Sequence, residues 1–455
     1  MSALPAGRTL PAPEVARARR LLIGLYFLTG MAVATWLARL PSIRTALHLS
    51  ASELGAVLVV GSVGSLAMVV VAGGLTNRWG SKRALLTGAV LFSIGNALVG
   101  LAPAVGSVPL LAFGVLVSSS SYALASVSLN LETLVIERRM GRTVVPQFHA
   151  GFSVGSVTGS LIGAAVSWAG VPVVAHFLAA SVVTLVWRVI AVPGAVLPHA
   201  PAVAVPADQE VPARRGASFR SAFAAWRERR TLVIGVIVMT VALSEGSANN
   251  WLTIAVVDGF TQTEAVAAVI FGVFVGSMMV ARLLGTYVIN RFGRVSILVA
   301  SAVSSLIGVL TFGLAPSLPA ATLGAVAWGL GAGLVFPIAV ASVSGDRLRM
   351  AGRVAVVSAF ASVASIVAPP MIGLAAEAFG IRRALLFITG GFVVSILLAR
   401  NVRGGESVPA AVRGDDAVAP ARRATLSDAV VPAPRNHSAR DARDVAAEPV
   451  AAGTC

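Results

Sequence analysis

The chain has 455 residues, of which 56% are hydrophobic and only 12% are charged, and its mean hydropathy is +0.86. Soluble domains carry about 25% charged residues, so this composition excludes an ordinary soluble protein and indicates an integral membrane protein. The net charge of +16 does not indicate a nucleic-acid partner, because the basic residues lie in short loops and tails between apolar runs. The single cysteine, Cys455, can form neither an internal disulfide nor a cysteine-rich metal site.

Twelve apolar segments follow a polar N-terminal tail at residues 1–20. Each has about 20 residues, enough to cross about 30 Å of hydrocarbon as a helix. The predicted spans are 21–40, 53–75, 84–102, 108–130, 148–169, 172–193, 231–253, 264–289, 295–315, 320–343, 354–376 and 382–400. The first segment is too long for the apolar region of a signal peptide and lacks a convincing cleavage site, so we count it as a span.

A long loop at residues 194–230, rich in Ala, Pro and Arg, separates two halves of six spans each, at 21–193 and 231–400. The end of this loop, 218–230, is a candidate for a basic helix on the inner leaflet. Residues 401–455 contain little apolar sequence and are predicted to form a disordered cytoplasmic tail. Within the fifth span, Gly151, Gly155, Gly159 and Gly163 recur at a spacing that favours helix packing over a ligand role.

The basic residues orient the chain. With the N-terminus inside, the outer loops hold four arginines, Arg282 lies within a span, and the other Lys and Arg residues fall on the inner side. The positive-inside rule then predicts that both termini are cytoplasmic. The four outer arginines are Arg39, Arg44, Arg382 and Arg383.

Residues 231–293 carry the strongest functional signal. Glu245 lies inside the seventh span and Arg282 inside the eighth, and an ionisable side chain in hydrocarbon costs at least a few kcal/mol. The eighth span ends in Asn290-Arg291-Phe292-Gly293, and the second span ends in the matching Asn77-Arg78-Trp79-Gly80. Two halves of equal span number with this shared motif predict a transporter built from a repeat, with its substrate near the membrane midplane.

Residues 73–83, GGLTNRWGSKR, resemble the loop signature G-x-L-x-D-R-x-G-R-[RK] of the Major Facilitator Superfamily. The stretches TWLARLPSIRTALHLSASELGAVL, EGSANNW and ARLLGTYVINRFGR resemble the MosC/YbjJ-like branch of that superfamily. The resemblance implies an all-α fold of twelve transmembrane helices in two six-helix pseudo-symmetric halves, alternating access, and energy from an ion gradient. Because Asn77 replaces the usual Asp, it also implies a weakened cytoplasmic latch.

The resemblance and the sequence together supply the gate candidates. They are Gly73, Asn77, Arg78, Gly80, Lys82, Arg282, Asn290, Arg291 and Gly293. Arg282 is expected to snorkel or to pair with an inner loop. A direct bridge to Glu245 is judged marginal, because the two residues differ by about 10 Å in depth at the helical rise.

Proton coupling is assigned first to Glu245, as a carboxylate that takes up and releases a proton as access alternates. The alternative is a structural hydrogen bond to a neighbouring helix. Glu132 and His176 are the second choices, although a histidine inside a span is more often a neutral packing residue.

Substrate contacts are assigned to polar and aromatic residues within or near the spans, namely Asn249, Asn250, Trp251, Tyr122, Asn130 and Arg39. For Trp251 and Arg39 the alternative is anchoring at the membrane interface.

The function expected from these features is secondary active transport of a small polar solute, such as a sugar or cyclitol, coupled to protons. Alternatives are a drug or metabolite exporter or a uniporter of the same fold, or a membrane sensor or scaffold that does not transport. The sequence contains no GxxxxGK[ST] phosphate loop and no recognisable metal cluster or catalytic triad, which disfavours an ATP-driven pump or an enzyme. The expected partners are a solute, protons and the lipid bilayer, with no cofactor, metal or nucleic acid, for a monomer in the plasma membrane.

The orientation can be tested through the single thiol. Cys455 should react with a membrane-impermeant maleimide only after cells are permeabilised, because positive-inside places it in the cytoplasm. The measurement is labelling of intact and permeabilised cells, with a Cys455→Ser variant as the control. Equal labelling of both preparations would contradict an inner C-terminus.

Overall fold

The computed structural model describes residues 13–142, 144–197, 225–343 and 350–399, and the statements below concern those residues. Their regular structure is helical throughout. The helices are α1 (Pro13–Ala38), α2 (Leu40–Ala46), α3 (Ala51–Trp79), α4 (Ser81–Ala104), α5 (Val108–Met140), α6 (Val145–Trp168), α7 (Val173–Ala195), α8 (Arg229–Phe260), α9 (Glu264–Phe292), α10 (Arg294–Leu314), α11 (Leu318–Val343), α12 (Met350–Phe379), α13 (Ile381–Ala384) and α14 (Thr389–Ala399). A 3₁₀ turn, Leu385–Ile388, joins the last two.

Twelve of these segments are long and apolar enough to cross a membrane. They are α1, each helix from α3 to α12, and the final run Ile381–Ala399, so the twelve predicted spans are confirmed. Several helices continue past the predicted ends; α5, for example, runs on to Met140. Hydropathy marks the part of a helix in hydrocarbon, whereas the helix itself can continue into the aqueous layer. The predicted N-terminal tail is shorter than 1–20, because its residues 13–20 belong to α1. Residues 1–12, the predicted tail 401–455 and most of the central loop lie outside the described residues.

The two halves repeat the same helix pairings. In the first half, α1 packs against α6, α3 against α5, α4 against α5, and α4 against α7. In the second half the corresponding pairs are α8 with α12, α9 with α11, α10 with α11, and α10 with α14. Each pair joins spans that occupy the same positions in their six-span halves. The repeat inferred from two short motifs therefore extends through the packing of both halves.

Glycine turns connect consecutive helices at three places. Gly80, Gly293 and Gly380 have φ of 79°, 80° and 78° and ψ of 150°, 156° and 151°. Each donates its backbone N–H to the carbonyl four residues earlier. A positive φ favours glycine because it has no Cβ, which explains the final residue of both Asn-Arg-aromatic-Gly motifs. The third turn, Phe379-Gly380, lies on the opposite face and was not identified from the sequence.

The glycine stripe of α6 packs against α1, as predicted. A Cβ on Gly155 would lie 1.9 Å from the carbonyl oxygen of Phe27, and a Cβ on Gly159 would lie 2.2 Å from that of Met31. The two backbones are therefore in direct contact, which only glycine allows.

Adding a methyl group in this contact should destabilise the protein. We expect Gly155→Ala to lower the free energy of unfolding by about 1–3 kcal/mol, because the backbones must separate to admit a Cβ. The matched control is Gly390→Ala, where a Cβ would meet no atom within 4 Å. Thermal unfolding in detergent compares the two variants with wild type. Equal midpoints for both variants would show that α1 and α6 are not in close contact.

Candidate functional site: a cavity between the two halves

The helices alternate in direction, so their ends define two faces. We call the face on which α1 begins the N face, and the opposite one the distal face. On the distal side a single apolar core joins both halves, with Leu40 and Leu54 from the first packed in the same cluster as Trp251 and Phe271 from the second. Towards the N face the halves have separate cores. The halves therefore meet at the distal face and diverge towards the N face.

The helices that pack across the interface between the halves also contact each other more closely at the distal face than at the N face. α3 packs against α12, and α6 packs against α9. Near the distal end of α3, a Cβ on Gly55 would lie 2.9 Å from the carbonyl oxygen of Pro369, and the Ser62 hydroxyl donates to the carbonyl of Ser365 at 3.0 Å. Near the N-face end of the same helix, a Cβ on Gly73 would meet no atom within 4 Å. Contact between α3 and α12 is thus confined to the distal part.

A buried ion pair closes the distal face. Arg39 Nη1 lies 3.0 Å from Glu264 Oε2, and the two side chains are 5% and 9% exposed. The same carboxylate accepts bonds from the backbone N–H of Ser42 at 2.9 Å, from its hydroxyl at 2.7 Å, and from the Ser167 hydroxyl at 2.8 Å. Arg39 also donates to the carbonyl of Val171 at 2.9 Å. These bonds offset the cost of burying the two charges and tie α9 to three elements of the first half.

Further polar contacts join the halves at this face. Arg44 pairs with Asp258, the Ser52 hydroxyl donates to Glu377, and Thr253 Oγ1 donates to the carbonyl of Leu37 at 3.1 Å. Within the second half, the Arg382 guanidinium lies 3.9 Å from the centre of the Phe260 ring. Three of the four arginines expected in outer loops are therefore held in specific contacts.

A cavity of about 550 Å³ lies between the halves, on the N-face side of this closure. Its polar lining consists of hydroxyl and amide side chains together with one acidic and one basic residue, and five aromatic side chains complete the wall. The hydroxyl and amide residues are Ser62, Ser65, Asn96, Ser118, Ser119, Ser153, Ser156, Asn249, Asn250, Ser362 and Ser365. The aromatic residues are Trp36, Phe92, Tyr122, Phe152 and Phe271.

The two charged residues of the cavity form an ion pair. Arg282 Nη2 lies 3.5 Å from Glu245 Oε1, with the side chains 33% and 30% exposed, and Arg282 Nε donates to the carbonyl of Gly333 at 3.3 Å. Arg282 therefore does not snorkel but forms the bridge to Glu245 that was judged marginal, and its role in an inner gate stays a prediction. Each Cα–Cβ bond tilts towards the N-terminus of its helix, and α8 and α9 run in opposite directions. The Glu245 side chain consequently extends towards the N face and the Arg282 side chain towards the distal face. The carboxylate and the guanidinium therefore meet although their Cα atoms lie at different depths.

Four of the predicted coupling and substrate residues line the cavity. They are Glu245, Asn249, Asn250 and Tyr122.

The structure places the other five elsewhere. Arg39 belongs to the distal closure, and Trp251 is fully buried in the shared core beneath the cavity, so neither anchors the protein at the membrane interface. Asn130 accepts a bond from the Tyr26 hydroxyl at 2.7 Å outside the cavity lining. Glu132 is buried within the first half, and His176 is buried with its ring 5.8 Å from that of Phe177.

The other predicted gate residues lie at the N face and make no hydrogen bond or ion pair across the two halves within the described ranges. They are Gly73, Asn77, Arg78, Gly80, Lys82, Asn290, Arg291 and Gly293. Asn77 and Arg78 are exposed. Among the described residues these side chains therefore form no latch across the N face, which agrees with the separation of the halves there.

The sequence analysis missed several residues that the fold brings to the site. Glu264 is the first residue of the predicted eighth span, and its signal was only its position at a helix start opposite two arginine-bearing outer segments. Trp36 belongs to the predicted first span and lines the cavity. Asn96, a polar residue within a predicted span, carried the same kind of signal as Asn249.

Comparison with known proteins identifies the family. Residues 22–353 and 236–435 match the model of the Major Facilitator Superfamily. The chain belongs to this superfamily. It is 27% identical over 378 residues to the uncharacterized transporter y4wD of Sinorhizobium fredii, which covers 83% of this chain and 96% of that protein. It is 25% identical over 389 residues to the membrane protein MosC of Rhizobium meliloti, covering 84% of this chain and 90% of MosC.

A solved structure has the same fold. The crystal structure of the nucleoside transporter NupG matches with a TM-score of 0.67 and 16% identity, over 86% of this chain and 100% of NupG. The predicted recognition and fold class are thereby confirmed, and a family of transporters rather than enzymes accounts for the architecture.

Breaking the Arg39–Glu264 pair should open the distal face. In Glu264→Gln the buried Arg39 loses its counter-charge, and breaking a buried pair costs about 3–5 kcal/mol. Spin labels at the exposed positions Ala104 and Thr261 should therefore report a longer distance across the distal face. The matched control is Glu53→Gln, a distal carboxylate whose described bonds are to Ser50 within its own helix cap. An unchanged distance in Glu264→Gln would show that this pair does not hold the distal face closed.

Proposed function

We propose that this transporter moves a small polar solute by alternating access, driven by protons, with the N face in the cytoplasm. The lining of the cavity supports the class of solute. Hydroxyl and amide side chains from both halves surround the space, and sites of this kind bind hydroxylated molecules through hydrogen bonds while aromatic side chains cover their apolar faces. A sugar, cyclitol or related metabolite has this character. The cavity volume of about 550 Å³ accommodates such a molecule.

The ion pair of Glu245 and Arg282 supports proton coupling and is the observation on which the proposal rests. Both side chains line the cavity, and both are partly exposed within it. A proton reaching Glu245 from the N face neutralises the carboxylate and releases Arg282 to contact the solute. The charge of the site then depends on whether it carries a proton, which is what coupling requires. Glu132 and His176, outside the cavity lining, remain the second choices.

The cycle requires the two faces to open in turn. The distal contacts break when the site opens outwards, and the N-face ends of α3 and α9 then approach the opposite half. The predicted gate residues around Asn77 and Asn290 lie on these ends. The distribution of Lys and Arg supports a cytoplasmic N face, hence both termini inside a plasma membrane, and one chain contains both halves of the site, so we propose a monomer.

Neutralising Glu245 should separate exchange from accumulation. Glu245→Gln imitates the protonated carboxylate at nearly the same volume, so the fold should survive. We expect the variant in proteoliposomes to exchange labelled for unlabelled solute but not to concentrate it under an imposed pH gradient. The solute is first found by a stability-shift screen of sugars, cyclitols, amino sugars and drugs.

The matched variant is Glu245→Asp, which keeps a titratable group and should retain some accumulation. Full accumulation by Glu245→Gln would show that proton coupling depends on another residue. Loss of both exchange and accumulation in folded Glu245→Gln protein would mean that Glu245 binds the solute. If wild type itself carries solute at the same rate without a pH gradient, the protein is a uniporter, and binding without flux would indicate a sensor.

A further inference from the structure

Arg188 is a buried cation inside a membrane span that the function described so far does not use. It lies on α7 and is 6% exposed. Arg188 was counted among the inner-side charges, but it lies within the span Val173–Ala195. Among the described residues no carboxylate lies within ion-pairing distance of it. An arginine keeps its charge in such surroundings, and a buried charge without a partner costs several kcal/mol.

The contacts of Arg188 leave one edge of its guanidinium available. Nη2 donates to Thr29 Oγ1 at 3.4 Å, the long limit of a hydrogen bond, and Nη1 is buried without a partner. The guanidinium carbon lies 4.7 Å from the centre of the Phe92 ring. A cation–π contact of this kind recovers only part of the cost of burying the charge. The contacts of Arg188 within the protein therefore do not compensate for the cost of burying its charge.

The Phe92 ring is also part of the cavity wall. Asn96, one turn further along α4, lines the same cavity. The ring thus lies between the guanidinium and the space in which the solute binds. An anion that reaches Arg188 from the cavity must therefore displace the Phe92 side chain.

We propose that Arg188 binds the carboxylate of the transported solute, which is then a hydroxylated monocarboxylate, such as a sugar acid, rather than a neutral sugar. A carboxylate matches the fork formed by Nη1 and Nη2, and such bidentate pairs are strong when buried. The hydroxyl groups of the solute contact the serine and asparagine side chains of the cavity. This inference rests on the proposed transport function and specifies its substrate class.

The charge balance agrees with an anionic solute. Glu245 and Arg282 compensate each other, so Arg188 leaves the site with a net positive charge that one carboxylate neutralises. When Glu245 accepts a proton, Arg282 also becomes available to the anion. Proton binding and anion binding then strengthen each other, as coupling between two sites must be reciprocal.

Binding of matched ligands tests the proposal. The probes are gluconate with glucitol and glucuronate with glucose, applied to the purified full chain at constant ionic strength, with sodium chloride as a separate arm. We expect the carboxylates to raise the melting temperature of wild type more than their neutral partners do. Arg188→Gln should abolish this difference and Arg188→Lys should retain part of it. No carboxylate-dependent shift in wild type, an equal shift in Arg188→Gln, or the same shift with chloride alone would overturn the proposal.

A second measurement does not depend on the choice of ligand. In a Cys455→Ser background, a cysteine placed by Asn96→Cys is treated with an anionic and a cationic methanethiosulfonate reagent. A positive charge behind Phe92 should favour the anionic reagent, and adding Arg188→Gln should lower the ratio of the two rates about tenfold. An unchanged ratio together with a lower melting temperature of the Arg188→Gln variant would make Arg188 a structural cation. Neither measurement involves Glu245, so failure of proton coupling leaves both readouts intact.

Discussion

Four donors from the first half converge on one carboxylate of the second half, that of Glu264, and this convergence holds the distal face closed. Ser167 lies far from Arg39 and Ser42 in the sequence, but the three residues come together because α1, α2 and α6 end at the same face. The pair is buried, so its bonds form or break as a set. With the distal face sealed in this way, the cavity opens towards the N face, where the halves diverge.

Some of the site was predictable because the signal lay within one segment. Hydropathy located the twelve spans, and the cost of a carboxylate in hydrocarbon singled out Glu245. The rest depends on which helices meet. Arg39 could not be matched with Glu264 from the sequence, since each belongs to a different half. Arg282 was misjudged because its depth was considered without the direction of its side chain, which the antiparallel course of α8 and α9 decides.

Arg188 illustrates a signal that was present but not used. It lies within the predicted span 172–193, so the reasoning that selected Glu245 applied to it equally. Its surroundings could not be read from the sequence, because Thr29 and Phe92 come from α1 and α4. The structure adds that this charge stands directly behind an aromatic wall of the cavity. Three charges of the membrane interior, those of Glu245, Arg282 and Arg188, thus lie at or beside one space.

The two halves supply different groups to the cavity. The second half supplies Glu245 and Arg282, whose pairing we propose to depend on a proton. The first half supplies most of the hydroxyl groups and the phenylalanine in front of Arg188. A solute bound between them contacts both halves. Its binding can therefore favour one relative arrangement of the halves over another, which is the energetic basis of alternating access.

The central claim is that the cavity communicates with one face at a time, and a single cysteine at its wall tests it. Ser65→Cys in a Cys455→Ser background places a thiol of similar size in the cavity lining. Its reaction with a membrane-impermeant thiol reagent is compared in inside-out and right-side-out vesicles. Rapid reaction from the cytoplasmic side and slow reaction from the outer side is the predicted result. Equal rates from both sides, or faster reaction from the outer side, would contradict a cavity sealed at the distal face.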